Sequence, residues 1–174
     1  WVKISTVTAS SSATVDFDNV ASTYKMYAVV GTGIAPATNA TSFVMNFGSD
    51  GSSYAASKTS GYFHTYNKNN DTDLQLETNA TNSLGGATGD QQIGYGLSDN
   101  AAIAKSATMF ALFGGLAQGG YTSYDVSFTH FGSNSYIRGA FIRGAVAADV
   151  DCIRFKMESG NIASGTFTLY GIDQ

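Results

Sequence analysis

At 174 residues, the chain can close a domain that buries about 70% of its unfolded surface without metals or disulfides. Only 13% of the residues are charged and the net charge is −4, which argues against nucleic acid as a partner, because phosphate binding needs clustered Lys and Arg. A single cysteine, Cys152, leaves no intrachain disulfide or Cys-based zinc site, and the longest apolar run, around Met109 to Leu116, is far short of a membrane span.

In chain order, Val2 to Thr8 and Thr14 to Asp18 alternate apolar and polar residues around Ala-Ser-Ser-Ser, which predicts two strands joined by a tight polar turn. Trp1 is not an initiator residue, so an upstream segment is expected to have been processed away or left out. Tyr24 to Val30 is the next strand, with Tyr24, Met26, Ala28 and Val30 on one face. Gly31-Thr-Gly33 has no third glycine and runs into Pro36 without a helical pattern, so it reads as a turn and not a phosphate loop. Phe43 to Phe47 is a strand, and the Asp50-Gly51 pair after it is a hairpin signal. Tyr62 to Tyr66 and the stretch around Leu74 and Leu76 read as strands. Asn79 to Gly94 is poor in apolar residues and reads as a long loop or as one ragged edge strand. Asp99 to Lys105 is the one place for a short helix.

Ala107 to Phe113 is apolar on both faces, as expected for a strand central to the domain or pressed against a partner. After a turn at Ala117 to Gly120, Tyr124, Val126, Phe128 and His130 share one face of a strand. Tyr136 to Val146 carries Ile-Arg-Gly-Ala twice, and the five-residue offset predicts a bulge or bend at Gly139 or Gly144. Ile153, Phe155 and Met157 then alternate with Arg154, Lys156 and Glu158, and Phe167 and Leu169 resume the apolar face after a Ser/Gly/Asn loop. Cys152 falls on the Arg154/Lys156 side and is expected to be a small strand residue covered by a neighbouring subunit. A strand with one wet face belongs to an antiparallel sheet. The chain therefore reads as all-β, an antiparallel jelly-roll-like β-sandwich of about ten strands in a single domain over residues 1–174.

The patterns that carry chemistry are weak. Glu77 and Glu158, the only glutamates, would suit a jelly-roll glycosidase if they faced each other across a cleft, but both alternate with apolar neighbours as solvent-face residues do. His64 and His130 lack metal-ligand spacing; His130 shares an apolar face and reads as interior, and His64 could line a contact surface. There is no G-x-S-x-G elbow. The oxygen-rich stretch Asn69-Asn70-Asp71-Thr72-Asp73 could hold calcium but lacks a downstream glutamate at EF-hand spacing. Sequons at Asn39, Asn70 and Asn79 are little above chance in so Asn- and Thr-rich a chain. The reading from the residues is a non-enzymatic protein with no catalytic residues, cofactor or metal.

Three stretches carry a resemblance: Trp1 to Phe17, Gly48-Ser-Asp-Gly-Ser-Ser-Tyr54, and Ser159-Gly-Asn-Ile-Ala-Ser-Gly-Thr-Phe-Thr-Leu-Tyr-Gly-Ile172. They resemble bacteriophage virion structural proteins of the β-sandwich type, common in marine and cyanobacterial phages. The resemblance implies a β-sandwich displayed on the virion as a tail-fibre, appendage or capsid-decoration component, commonly as a homotrimer among other virion proteins. If the chain is a fibre tip, the loops Asn67 to Asp73, Asn79 to Gly94 and Gly114 to Tyr124 are the expected contacts to a host-surface glycan. Tyr66, Asn69, Asp71, Asp73, Tyr95, Tyr121 and Tyr124 are the candidate contact residues, the tyrosines for their rigid, amphipathic rings. A carbohydrate-binding module or adhesin outside a virion is the alternative. Neither nucleic acid nor membrane insertion is expected.

Overall fold

Strands and the turns between them account for all the described residues of a computed structural model, which covers 1–68, 74–78, 80–100, 107–132 and 136–172. Thirteen strands are described: β1 (Val2–Ser12), β2 (Thr14–Phe17), β3 (Met26–Pro36), β4 (Thr41–Gly48), β5 (Lys58–Lys68), β6 (Leu74–Thr78), β7 (Gly85–Ala87), β8 (Gln91–Leu97), β9 (Ala107–Gly114), β10 (Thr122–Phe131), β11 (Tyr136–Val146), β12 (Cys152–Met157) and β13 (Ile162–Ile172). They form two sheets. The larger runs β1-β13-β3-β9-β10-β11-β5-β6, with β7 also paired to β5, and the smaller runs β2-β12-β4-β8. All the described pairings are antiparallel, as one wet face per strand requires.

The core lies between the sheets and follows from the period of two. Met109, Ala111 and Phe113 of β9, Tyr124, Val126, Phe128 and His130 of β10, and Phe167 and Leu169 of β13 all point inward and are buried. From the smaller sheet, Phe43, Met45 and Phe47 of β4 and Ile153, Phe155 and Met157 of β12 meet them. At the centre, the Phe43 ring sits 5.4 Å from Phe128, 6.0 Å from Phe155 and 6.1 Å from Phe167.

Several expectations are corrected. The Asp50-Gly51 turn forms, with Asp50 accepting bonds from the Ser52 and Ser53 amides. However, β4 pairs with β12 and β8 and β5 pairs with β11, β6 and β7, so the turn passes between sheets instead of closing a hairpin. Likewise β1 and β2 belong to different sheets, and the Ala-Ser-Ser-Ser stretch continues β1 to Ser12. The 79–94 region does carry the start of an edge strand with a broken register, β8, but it also holds β7, and Ile93 and Leu97 of β8 reach the core. The bulge expected in β11 is absent: its register runs unbroken from Tyr136 to Val146 against β5 and from Ile137 to Val146 against β10. Cys152 is fully buried within its own chain, its thiol on Asp151 Oδ1 at 3.0 Å, so no neighbouring subunit is needed to cover it. The helix expected over Asp99 to Lys105 falls largely outside the described residues, and 99–100 are not helical.

Candidate functional site

Two surfaces of the larger sheet stand out. Its inner face is apolar along most of its length but turns polar and aromatic at the end where β10 finishes and β11 begins. There the register lines up His130, Arg138, Tyr66 and Gln75 across four strands, with His64 and Glu77 one step along. Tyr95 of β8 approaches from the other sheet. The Arg138 guanidinium carbon lies 5.0 Å from the Tyr95 ring centre and 5.8 Å from that of Tyr66, within cation–π range of both. The His64 ring is stacked on Tyr66 at 6.0 Å, and its Nε2 is 3.5 Å from Glu77 Oε2. Burial pulls the His64 pKa down, opposed by the Glu77 carboxylate.

Of the candidate contact residues, Tyr66 and Tyr95 are therefore brought together, and Tyr95 is 54% exposed. Tyr121 is 75% exposed but sits just before β10, about 30 Å along the strand from the Arg138 cluster. Tyr124 is a correction. It is 2% exposed, packs on Phe47 at 5.2 Å and has its hydroxyl 3.4 Å from Gln91 Oε1, so it is a core residue and offers no contact surface. Asn69, Asp71 and Asp73, and with them the calcium stretch, lie outside the described residues. Among the described residues no three His, Cys, Asp or Glu side chains are grouped to hold a metal ion. Glu77 sits on β6 of the larger sheet, whereas Glu158 follows β12 of the smaller one, its amide bonded to Ser42 O.

His130 is interior, as its shared face with Val126 and Phe128 predicts. Its Nε2 bonds the Tyr95 carbonyl at 2.8 Å and its Nδ1 has no hydrogen-bond partner. Burial pushes its pKa down to about 4, partly offset by the Tyr95 bond, with Arg138 adding to the depression. The folded state thus holds the neutral ring while the unfolded chain protonates near 6.5. Stability from this group is full above that value and falls as pH drops toward 4. Between pH 7 and pH 5 the loss is about 2 kcal/mol. A His130→Asn variant should lose most of that slope in urea titrations run at the two pH values; an unchanged slope would remove His130 as its source.

The outer face of the larger sheet is the second surface. One register row carries Val30, Phe110, Ser127, Phe141 and Phe63 on five adjacent strands, and Leu76 lies on the next row over, beside Thr65. Phe63, Phe110, Phe141, Leu74 and Leu76 are all exposed. Trp1 lies on the same face, stacked on Phe110 at 6.0 Å and tilted against Tyr170 at 5.7 Å. A shallow groove of about 140 Å³ runs between Phe110 and Phe141, bordered by an exposed Arg143–Asp125 pair at 2.9 Å. The sequence signal for this face is the doubly apolar Ala107 to Phe113 segment. Arg138 had no signal of its own, since only the register of β11 against β5 places it opposite Tyr66.

No protein family and no curated protein matches the chain. Among solved structures it is similar to a toad ovary galectin in complex with thio-digalactose, at 13% identity over 83% of this chain and 99% of that one, TM-score 0.28. A chain of infectious bursal disease virus strain Gx is 6% identical over 95% of this chain and 39% of its own length, TM-score 0.21. A laminarinase from Flavobacterium sp. UMI-01 is 9% identical over 95% and 77%, TM-score 0.23.

Proposed function

We propose that the chain is a non-enzymatic structural protein of a phage virion, displayed on the particle surface as a tail-fibre, appendage or capsid-decoration component, and that it works by packing against copies of itself. The observation that carries this reading is the uncovered outer face of the larger sheet. Soluble monomers rarely expose a contiguous apolar patch of this kind. Eight hydrogen-bonded strands about 4.8 Å apart, over about seven residues of strand, present roughly 800 Å², the share one partner gives to a standard interface. A second copy is the occupant that fits. The face pairs an apolar row with both an exposed cation and an exposed anion, Arg143 and Asp125, so it is complementary to itself. Three such faces can enclose a threefold axis, in keeping with the trimer that the phage resemblance implies.

Light scattering on the purified chain tests this. The wild type should have the mass of three chains, and Phe141→Lys, which puts a charge in the middle of the row, should shift it to one chain while remaining folded. A wild-type monomer at about 100 µM, well above the Kd of interfaces this size, would overturn the reading. A second reading has its own observation: Tyr95 and Tyr66 around Arg138 supply exposed ring and cation together, which favours contact with a glycan. Glycan-array binding lost in Tyr95→Ala without change of mass would support it, and binding unaffected by that change would remove it.

A further inference from the structure

Lys58, the first residue of β5, is 0% exposed. Lysines are almost never fully buried unless a carboxylate meets them, yet the described partners of this amine are all uncharged. Nζ bonds Asn46 Oδ1 at 2.5 Å, Ala56 O at 2.9 Å and Thr88 O at 3.4 Å. The nearby carboxylate, Asp90, is spent on other groups. Its Oδ1 accepts from Asn46 Nδ2 at 2.9 Å and its Oδ2 holds Lys156 Nζ at 2.8 Å. Asn46 is itself buried, and its Oδ1 also accepts the Phe47 backbone N–H at 2.9 Å.

Lys58, Asn46, Asp90 and the Phe47 N–H make a reaction geometry. With a C=O bond of about 1.2 Å, the 2.5 Å contact keeps Asn46 Cγ within about 3.7 Å of the amine, close to the separation of a near-attack arrangement. We propose that Lys58 and Asn46 join in an intramolecular amide cross-link, with Asp90 relaying the proton and the Phe47 amide holding the oxyanion. The neutral amine attacks Cγ, and the C=O electron pair moves onto Oδ1, where the Phe47 N–H stabilises it. Asp90 does not touch Nζ beforehand, but once the Cγ–Nζ bond forms both nitrogens sit on one carbon, so the Asp90 oxygen bonded to Nδ2 takes the proton from Nζ and hands it to Nδ2. The Cγ–Nδ2 bond then breaks and ammonia leaves. Amine plus carboxamide gives secondary amide plus ammonia, and Asp90 ends in its starting state, so no oxidant, cofactor or metal enters. Burial, opposed by Asp90, draws the Lys58 pKa down to about 8, which makes the nucleophilic neutral form accessible.

The product would tie β4 of the smaller sheet to β5 of the larger. A chain with one cysteine has no disulfide to do this. The inference is independent of how the outer face is used.

The test is the intact mass of the folded wild-type chain after a day at about pH 8, where half the amine is neutral, followed by peptide mapping. The expected result is a loss of about 17 Da, one ammonia, in a branched peptide joining Asn46 to Lys58. Lys58→Met should keep its full sequence mass. Asp90→Asn, altered at a residue a third exposed, should fold and cross-link at least about 100-fold more slowly, the usual weight of a positioned acid–base group. A folded wild type at full sequence mass overturns the proposal. So does the same mass loss in a linear peptide holding Asn46, which is a succinimide, or in Lys58→Met. An Asp90→Asn variant that reacts at the wild-type rate overturns the relay.

Discussion

Phe43→Ala is expected to cost about 4 kcal/mol, the middle of the range for truncating a buried aromatic. The ring belongs to the smaller sheet, yet it lies against Phe128 and Phe167 of the larger one as well as Phe155 of its own. Removing it opens a void that neither sheet can close alone, because each is held flat to its neighbours by its own ladder. With a urea slope of about 2 kcal/mol/M, the unfolding midpoint should fall by about 2 M. Phe141→Ala is the control. Phe141 is on the outer face and 52% exposed, so in a dissociated chain it should move stability by no more than about 0.5 kcal/mol. Equal shifts for the two would mean the core is not where the inter-sheet rings place it.

Gly48→Ala should cost about 3 kcal/mol through overpacking. A Cβ there would stand 2.1 Å from the Ser53 carbonyl oxygen, which is backbone and cannot rotate away. The returning segment must move, and it is pinned on both sides. Ala56 N bonds Phe47 O at 3.1 Å, and Asp151 N bonds Gly48 O at 3.1 Å. The melting temperature should drop by roughly 10 °C for a chain of this size. Gly89→Ala, at a position with open space around the added carbon, should leave it unchanged. If the two glycines respond alike, the tight crossing after β4 is not a constraint on the fold.

What the sequence made legible was the alternation within strands. Ile153, Phe155 and Met157 read as inward and are buried, and the Tyr124, Val126, Phe128, His130 face is the inner face of β10. That same alternation already marked Tyr124 as interior, and its ring chemistry alone made it look like a contact residue. Pairing was not legible. The Asp50-Gly51 signal fixes a local turn, but whether the chain turns back or crosses to the other sheet depends on which strands compete for β4, and β12 and β8 take its edges. The Tyr66–Arg138–Tyr95 cluster and the Lys58–Asn46–Asp90 group each join strands whose register is set by long-range packing, so no spacing along the chain announces them. The outer face was half visible: apolar residues on both sides of Ala107 to Phe113 fit a strand central to the domain or pressed against a partner, and in the single chain Phe110 on that second face is exposed.

In the proposed assembly the outer face of the larger sheet is buried against sister chains, and the sole tryptophan lies on that face. Trp1 is 65% exposed in the single chain, so its fluorescence reports the cover directly. Acrylamide quenching should be strong in Phe141→Lys and weak in the assembled wild type, becoming strong again on dilution as the assembly dissociates. Quenching that is equally strong in both proteins at every concentration would show the face to be bare, and the account would be wrong.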